Sequence, residues 1–121
     1  MSESSDCRAG WCAETDYCAV TCAADVLANK WHPVIVHRLL DAGELGFGDL
    51  SDELGSVTNK VLSESLDDLE ARDIVERTIV SEQPLRVSYA LTERGRALEP
   101  VVTELERWGR EYAEPARPAT E

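Results

Sequence analysis

The apolar residues of this chain change their spacing after residue 73, and that change restricts the folds open to it. Before it, Leu62, Leu66 and Leu69 recur at helical spacing. After it, residues 75–79 and 87–91 alternate apolar with other side chains, and a polar connection containing Pro84 joins the two segments. Alternation of this kind predicts β-strands, and a short connection between them predicts a hairpin.

Helical segments are expected on both sides of the hairpin. They cover residues 18–27, an apolar run from 31 to 40 that ends near Gly43, a short stretch at 47–54 stopped by Gly55, and residues 59–71, with Thr58 as the cap. Thr92 is expected to cap a last helix. Two short helices joined by a turn and followed by a hairpin are typical of a winged helix-turn-helix. The fold class predicted is mainly α with a small β-hairpin wing, and a generic α+β domain is the alternative.

Charge and length limit the partners and the size of the fold. The 121 residues fit one domain, and 24 acidic against 12 basic residues give a net charge of −12. Lys30 and Lys60 are the only lysines. An acidic, lysine-poor surface suggests a salt-loving host, because molar salt shortens the Debye length to about 3 Å; a merely acidic mesophilic protein is the alternative. Composition alone argues against a nucleic-acid partner.

Several classes of protein lack support in the sequence. No run approaches the roughly 18 apolar residues of a membrane span, and the first residues lack a basic segment followed by an apolar one. We therefore expect a cytoplasmic protein without a membrane partner. No glycine-rich phosphate loop or nucleophile elbow is found, so we expect neither an enzyme nor a cofactor. His32 and His37 are expected to be structural or surface residues, since no carboxylate is spaced to complete a metal site with them.

Five groups of residues resemble those of a known protein family, in the same order and with the same gaps between them. They are Cys18 followed by Lys30-Trp31, RLLDAGELGFGDLSDEL, LSESLDDLEARDIVER, PLRVSYALTERGRAL and Trp108-Gly109. From about Cys18 to Trp108, the chain resembles the HxlR-type winged helix-turn-helix transcriptional regulators. The resemblance implies a homodimer that binds double-stranded operator DNA, represses or activates transcription, and has no enzymatic activity. It also implies N- and C-terminal dimerisation helices.

The resemblance makes residues 59–71 the recognition helix and residues 81–86 the wing. Its expected DNA-contacting residues are Thr58, Asn59, Lys60, Ser63, Glu64 and Arg86. Lys60 and Arg86 would contact phosphates, and Asn59 could pair with adenine. Glu64 and Ser65 stand where many relatives carry Gln and Arg, and Asn29 replaces a common glycine, so weaker binding in dilute buffer is expected. A winged-helix interaction module that does not bind DNA is the alternative.

A seam of apolar residues in the last helix supports a dimer independently of the resemblance. Spacings of 3, 4, 3 and 4 separate Leu98, Val101, Leu105, Trp108 and Tyr112. We expect this seam to face a second chain, although the helix could instead pack back on its own domain. The expected organisation is a DNA-binding and dimerisation domain at 18–112, between a flexible cysteine-containing tail at 1–17 and a disordered tail at 113–121.

All four cysteines, Cys7, Cys12, Cys18 and Cys22, lie in the first 22 residues. In several members of the resembling family the equivalent of Cys18 senses oxidants or electrophiles, and a helix N-terminus favours its thiolate, although Asp16 opposes this. In this first interpretation oxidation leads to a disulfide with Cys7, Cys12, Cys22 or the second subunit. The second interpretation is a zinc or iron–sulfur site, for which four sulfurs are the right number but the spacing is irregular. The third is that Cys18 and Cys22 only fill space near Trp31.

Overall fold

The structure, a computed structural model, describes residues 16–113, with side chains from residue 19 onwards. Six helices and three strands follow one another in these residues. In chain order they are α1 (Asp16–Val26), α2 (Trp31–Ala42), β1 (Glu44–Gly46), α3 (Phe47–Leu54), α4 (Asn59–Ala71), β2 (Val75–Glu82), β3 (Leu85–Leu91), α5 (Glu93–Arg96) and α6 (Glu99–Glu111). The predicted fold class, mainly helical with a β-hairpin wing, is confirmed. Residues 1–15 and 114–121, which make up most of the two expected tails, lie outside the described residues.

Local signals place the two helices of the helix-turn-helix where the sequence predicts them. The α3 helix spans the predicted residues 47–54, and Gly55 closes it with φ +73° and its N–H donating to the Ser51 carbonyl. The α4 helix spans the predicted residues 59–71. Thr58 Oγ1 caps α4 by accepting a hydrogen bond of 3.1 Å from the Val61 N–H.

The sheet contains the predicted hairpin and one strand that was not predicted. All neighbours are antiparallel, in the order β1-β3-β2. The hairpin pairs Ile79 with Val87 and continues to Glu82 and Leu85, beyond the predicted strand ends. The added strand β1 pairs Glu44 with Ala90, so its formation depends on a residue far along the chain rather than on a local pattern.

The expected single C-terminal helix is divided into α5 and α6. Thr92 caps α5 as predicted, with its Oγ1 accepting from the Gly95 N–H at 3.0 Å. Pro100 lies in the first turn of α6, where the missing N–H needs no partner. Since that proline cannot donate to a preceding carbonyl, α5 cannot continue through it, and a new helix begins at Glu99.

One core joins α2, α3, α4 and the sheet. Its fully buried aliphatic side chains come from α2, α3, α4, the residue before β2 and the first residue of β2: Ile35, Val36, Leu39, Leu50, Leu62, Leu66, Leu69, Ile74 and Val75. Tyr89, Leu91 and Val102 complete it from β3 and α6. Burial raises the pKa of the Tyr89 phenol, an effect that hydrogen bonding to Arg77 partly opposes. The core fixes α4 by its apolar side, so the opposite side of α4 remains in solvent.

Candidate nucleic-acid interface

The solvent side of α4 carries every sequence-predicted recognition residue. Those residues are Thr58, Asn59, Lys60, Ser63 and Glu64, and all five are exposed. At 100° per residue, positions 59, 60, 63 and 64 lie within an arc of about 140°, so they form one polar surface. A capped helix with one side held in a core and the other polar is of the size that enters a DNA major groove.

The charges on this surface are partly balanced within the chain. Lys60 Nζ lies 3.8 Å from Glu64 Oε2, and the two side chains are 82% and 65% exposed. Such an exposed pair one helical turn apart stabilises the helix by only about 0.3–0.5 kcal/mol, so it can open for a phosphate. Because the Glu64 carboxylate offsets the charge of Lys60, this surface is less basic than a phosphate-binding helix usually is.

The wing supplies the remaining predicted DNA-contacting residue. Arg86 is exposed near the tip of the hairpin, where it pairs with Ser81 across a break in the β2–β3 register. Residues 83 and 84 form the turn between the strands. The structure therefore places Arg86 on a different element from the other five predicted contacts, as a wing against an adjacent DNA backbone requires.

An ionic network, which the sequence did not reveal, joins α1 to the C-terminal part of α4. Arg72 Nη1 donates to Asp25 Oδ2 at 3.0 Å, and its Nε donates to Asp68 Oδ2 at 2.9 Å. The hydrogen bond to Asp25 raises the pKa of the Arg72 guanidinium, burial opposes this, and Asp68 adds to it. Asp25 and Arg72 are 47 positions apart, so no local pattern predicts their contact.

The cysteines lie at the start of α1 or before it. Cys18 is the third residue of α1, in its first turn, while its side chain lies outside the described residues, as do Cys7 and Cys12. Cys22, one turn later, is half-buried. Among the side chains that the structure describes, no three or more His, Cys, Asp or Glu residues are grouped to hold a metal ion. That finding does not bear on the four-cysteine metal site, since three of its cysteines fall outside this set.

The α6 helix has one side on the core and another in solvent. Val102 is buried, and Leu98 is half-buried against the same core, so Leu98 lies apart from the rest of the expected seam. The remaining four seam residues are exposed: Val101 by 40%, Leu105 by 49%, Trp108 by 60% and Tyr112 by 64%. We call these four residues the α6 stripe. The Trp108 and Tyr112 rings have centroids 5.7 Å apart.

A polar contact also holds α6 on α2. His37 Nε2 lies 3.2 Å from Glu106 Oε1, and Arg110 Nη2 donates to Glu106 Oε2 at 2.7 Å. Hydrogen bonding to Arg110, followed by that to His37, lowers the pKa of the Glu106 carboxyl. Both contacts leave the α6 stripe uncovered.

The sequence of this chain is similar to those of known helix-turn-helix proteins. A family model described as HxlR-like helix-turn-helix matches residues 26–117. The HTH-type transcriptional regulator YodB of Bacillus subtilis is 37% identical over 93 residues, covering 77% of this chain and 82% of YodB. The regulator YvaP of the same organism is 36% identical over 94 residues, covering 78% of this chain and 86% of YvaP.

Solved structures agree with these sequence matches. The redox regulator HypR in its oxidised form superposes with a TM-score of 0.74 at 34% identity, covering 81% of this chain and all of that one. The reduced form of B. subtilis YodB gives a TM-score of 0.66 at 36% identity, covering 78% of this chain and 92% of that one. No helix within residues 16–113 is long and apolar enough to cross a membrane. By its sequence and its fold, the chain belongs to the HxlR-like helix-turn-helix family and is a transcriptional regulator of the HxlR type.

Proposed function

We propose that the chain is a homodimeric, sequence-specific DNA-binding regulator whose affinity for its operator changes when Cys18 reacts with an oxidant or electrophile. The observation that carries the DNA-binding part is the polar surface of α4. It is capped by Thr58, held by the core on its opposite side, and accompanied by an exposed wing. This supports a role for α4 in the major groove and for the wing on the adjacent backbone.

Each recognition residue has a separate chemical role in the proposal. Lys60 and Arg86 neutralise phosphates and supply affinity that does not depend on sequence. Asn59 forms a bidentate pair with an adenine, and Glu64 accepts a hydrogen bond from a cytosine amino group. Glu64 thereby gives specificity while it reduces general affinity for the phosphate backbone. An operator preference for cytosine opposite Glu64 follows from this division.

The α6 stripe supports dimerisation. Four apolar side chains at helical spacing remain exposed on a helix whose other side is already packed, which is typical of a surface that a second copy covers. A two-fold dimer sets its two α4 helices into half-sites about one DNA turn apart, roughly 34 Å. The operator is therefore expected to be palindromic.

The position of Cys18 supports thiol sensing. In the first turn of α1, the helix dipole favours the thiolate. Two similar proteins have structures in several chemical states: the redox regulator HypR in oxidised and reduced forms, and YodB in reduced, diamide-treated and quinone-bound forms. The other end of α1 is joined to α4 through Asp25 and Arg72, so a displacement of α1 has a direct route to the recognition helix.

The chemical step in the proposal is an ordinary thiol oxidation. The Cys18 thiolate attacks a peroxide oxygen, the O–O bond breaks, and a sulfenic acid forms while the other oxygen leaves as hydroxide or alkoxide, which takes a proton from solvent to give water or an alcohol. A second thiol then attacks the sulfenic sulfur, water leaves, and a disulfide forms. Cys7, Cys12, Cys22 or a cysteine of the second subunit supplies that thiol.

The test compares DNA affinities in two redox states. The full chain in molar KCl is titrated with its own upstream DNA, first fully reduced and then treated with peroxide. We expect the affinity to change by about 5- to 150-fold, the usual range of allosteric coupling. A Cys18→Ser variant is expected to bind like the reduced protein and to ignore peroxide, whereas an Asp41→Asn variant, changed at an exposed α2 residue, is expected to respond like the wild type.

Other outcomes separate the remaining hypotheses. If Cys18→Ser still responds to peroxide, Cys18 is not the sensor. If a chelator changes the affinity of the reduced protein while peroxide does not, the four cysteines hold a metal. If neither redox state binds DNA, the chain is an interaction module.

A further inference from the structure

A cleft of about 400 Å³ lies behind the recognition surface, between the α1–α2 junction and α4. Ala28 and His32 line it on one side, and Val61, Glu64, Ser65 and Asp68 line it on the other. Glu64 thus borders both this cleft and the polar surface of α4. Neither the recognition surface nor the α6 stripe accounts for the cleft.

Two buried polar atoms line the cleft without a hydrogen-bond partner in residues 16–113. They are His32 Nε2 and Ser65 Oγ, on residues that are 3% and 2% exposed. His32 Nδ1 lies 3.0 Å from the Val26 carbonyl oxygen, which can only accept, so Nδ1 carries the hydrogen. In the neutral ring Nε2 therefore presents a lone pair. Buried polar atoms are nearly always paired, so two orphans in one cleft point to a missing group.

With His32 in this neutral form, the missing group has to donate hydrogen bonds. Asp68 Oδ2 then lies 3.5 Å from the Nε2 lone pair, so two acceptors face each other. The serine hydroxyl can accept as well as donate. A group that offers several N–H bonds at once would satisfy all three atoms.

The charge of the cleft favours a cation. Three carboxylates line it, from Asp25, Glu64 and Asp68, against the single guanidinium of Arg72, and Lys60 outside the lining pairs with Glu64. That guanidinium already donates to Asp25 and Asp68. Val61 and Ala28 add apolar surface to the lining. No three metal-ligating side chains are grouped in the described part of the chain, which disfavours a metal ion.

We propose that this cleft binds a small primary alkylammonium ion. The ammonium N–H groups donate to His32 Nε2, Ser65 Oγ and the Asp68 carboxylate, and the methylenes lie on Val61 and Ala28. Both atoms are buried in the described conformation, so the proposed binding requires rotation of the rim side chains Glu64 and Asp68, which are 65% and 45% exposed. Because three of these residues belong to α4, the ligand would bind directly to the helix that carries the recognition surface. The proposal does not depend on DNA binding.

Calorimetric titration of the full chain with n-butylammonium chloride tests it. We expect saturable binding at one site per chain. Tetramethylammonium, which has the charge but no N–H group, and n-butanol, which has the stem but no charge, are expected not to bind. Saturable binding of tetramethylammonium with equal affinity, or binding of Zn²⁺ in place of the amine, would overturn the ligand class. A folded protein that gives no saturable binding of n-butylammonium would overturn the site.

Three variants locate the site. Asp68→Asn is expected to weaken binding by about tenfold or more, because a hydrogen bond to a charged group is worth at least that much. Ser65→Ala removes an acceptor without changing the charge or the contact with Arg72, and it is expected to weaken binding several-fold. Asp41→Asn, at an α2 carboxylate that is 77% exposed, is the matched control and should bind like the wild type. Equal weakening by Asp41→Asn, or wild-type binding by folded Ser65→Ala, would contradict the assignment.

Discussion

Replacing Trp108 by alanine is expected to weaken self-association strongly. Trp108 is 60% exposed on α6, beside Tyr112. Covering that fraction of an aromatic side chain removes roughly 150 Å² from water in each subunit, which at about 25 cal/mol per Å² corresponds to about 4 kcal/mol. In a two-fold dimer the loss occurs twice, so about 8 kcal/mol is the upper bound.

A smaller effect than this bound would still be easy to measure. Truncating a hot-spot residue, often a tryptophan, commonly costs about 2–4 kcal/mol, which raises a dissociation constant by about 30- to 1,000-fold. Sedimentation velocity over a dilution series in molar KCl measures that constant. Leu85→Ala is the matched control, since Leu85 is 64% exposed but lies on the wing.

Two results would refute the dimer interface on α6. In one, folded Trp108→Ala keeps the wild-type dissociation constant. In the other, Leu85→Ala weakens association as much as Trp108→Ala does, which would show that exposed apolar residues cause unspecific association. Circular dichroism of each variant confirms that the fold is kept, as Trp108 contributes to no part of the buried core.

Three further predictions follow from the described contacts. Lys60→Ala should lower DNA affinity and reduce the slope of log affinity against log salt by about 0.9, whereas Lys30→Ala, at the other lysine, should leave that slope unchanged. The pKa of Glu106 is lowered in the folded state, so the contribution of Glu106 to stability is present above the ordinary pKa near 4.5 and is lost as pH falls through the folded-state pKa. The Glu106→Gln variant should therefore lose less stability on acidification than the wild type does. Urea unfolding between pH 3 and 7 measures this difference. Leu66→Ala, at a position 0% exposed, should lower the free energy of unfolding by about 2–5 kcal/mol, and an unchanged urea midpoint would contradict the assigned core.

Local signals made most of the helical framework predictable. Thr58 accepts a hydrogen bond from a backbone N–H three residues later, and Gly55 adopts a positive φ. The start of α4 and the end of α3 could therefore be predicted from neighbouring residues. The three spaced leucines fix which side of α4 is buried, whereas its assignment as the recognition helix came from the family resemblance. The cap, the glycine helix end and the leucine spacing each involve residues within one or two helical turns of one another, and sequence patterns are informative over that distance.

Features that depend on distant contacts were not predictable. Strand β1 has three residues and exists through pairing with β3, and the Arg72 network joins positions 47 apart. His32 looked like an isolated histidine, yet the fold brings Asp68 to within 3.5 Å of it. Leu98 fits the spacing of the α6 stripe, but it precedes α6 and packs against the core. In each case tertiary packing decides, and spacing along the chain carries no information about it.

Nuclease footprinting of the reduced protein on its own upstream DNA in molar KCl tests dimeric, sequence-specific binding most directly. We expect two protected half-sites related by a palindrome, with centres about one helical turn, roughly 34 Å, apart. The protection should persist in excess competitor DNA. Protection of a single half-site by a monomer, or none beyond what unrelated DNA competes away, would contradict the proposed function.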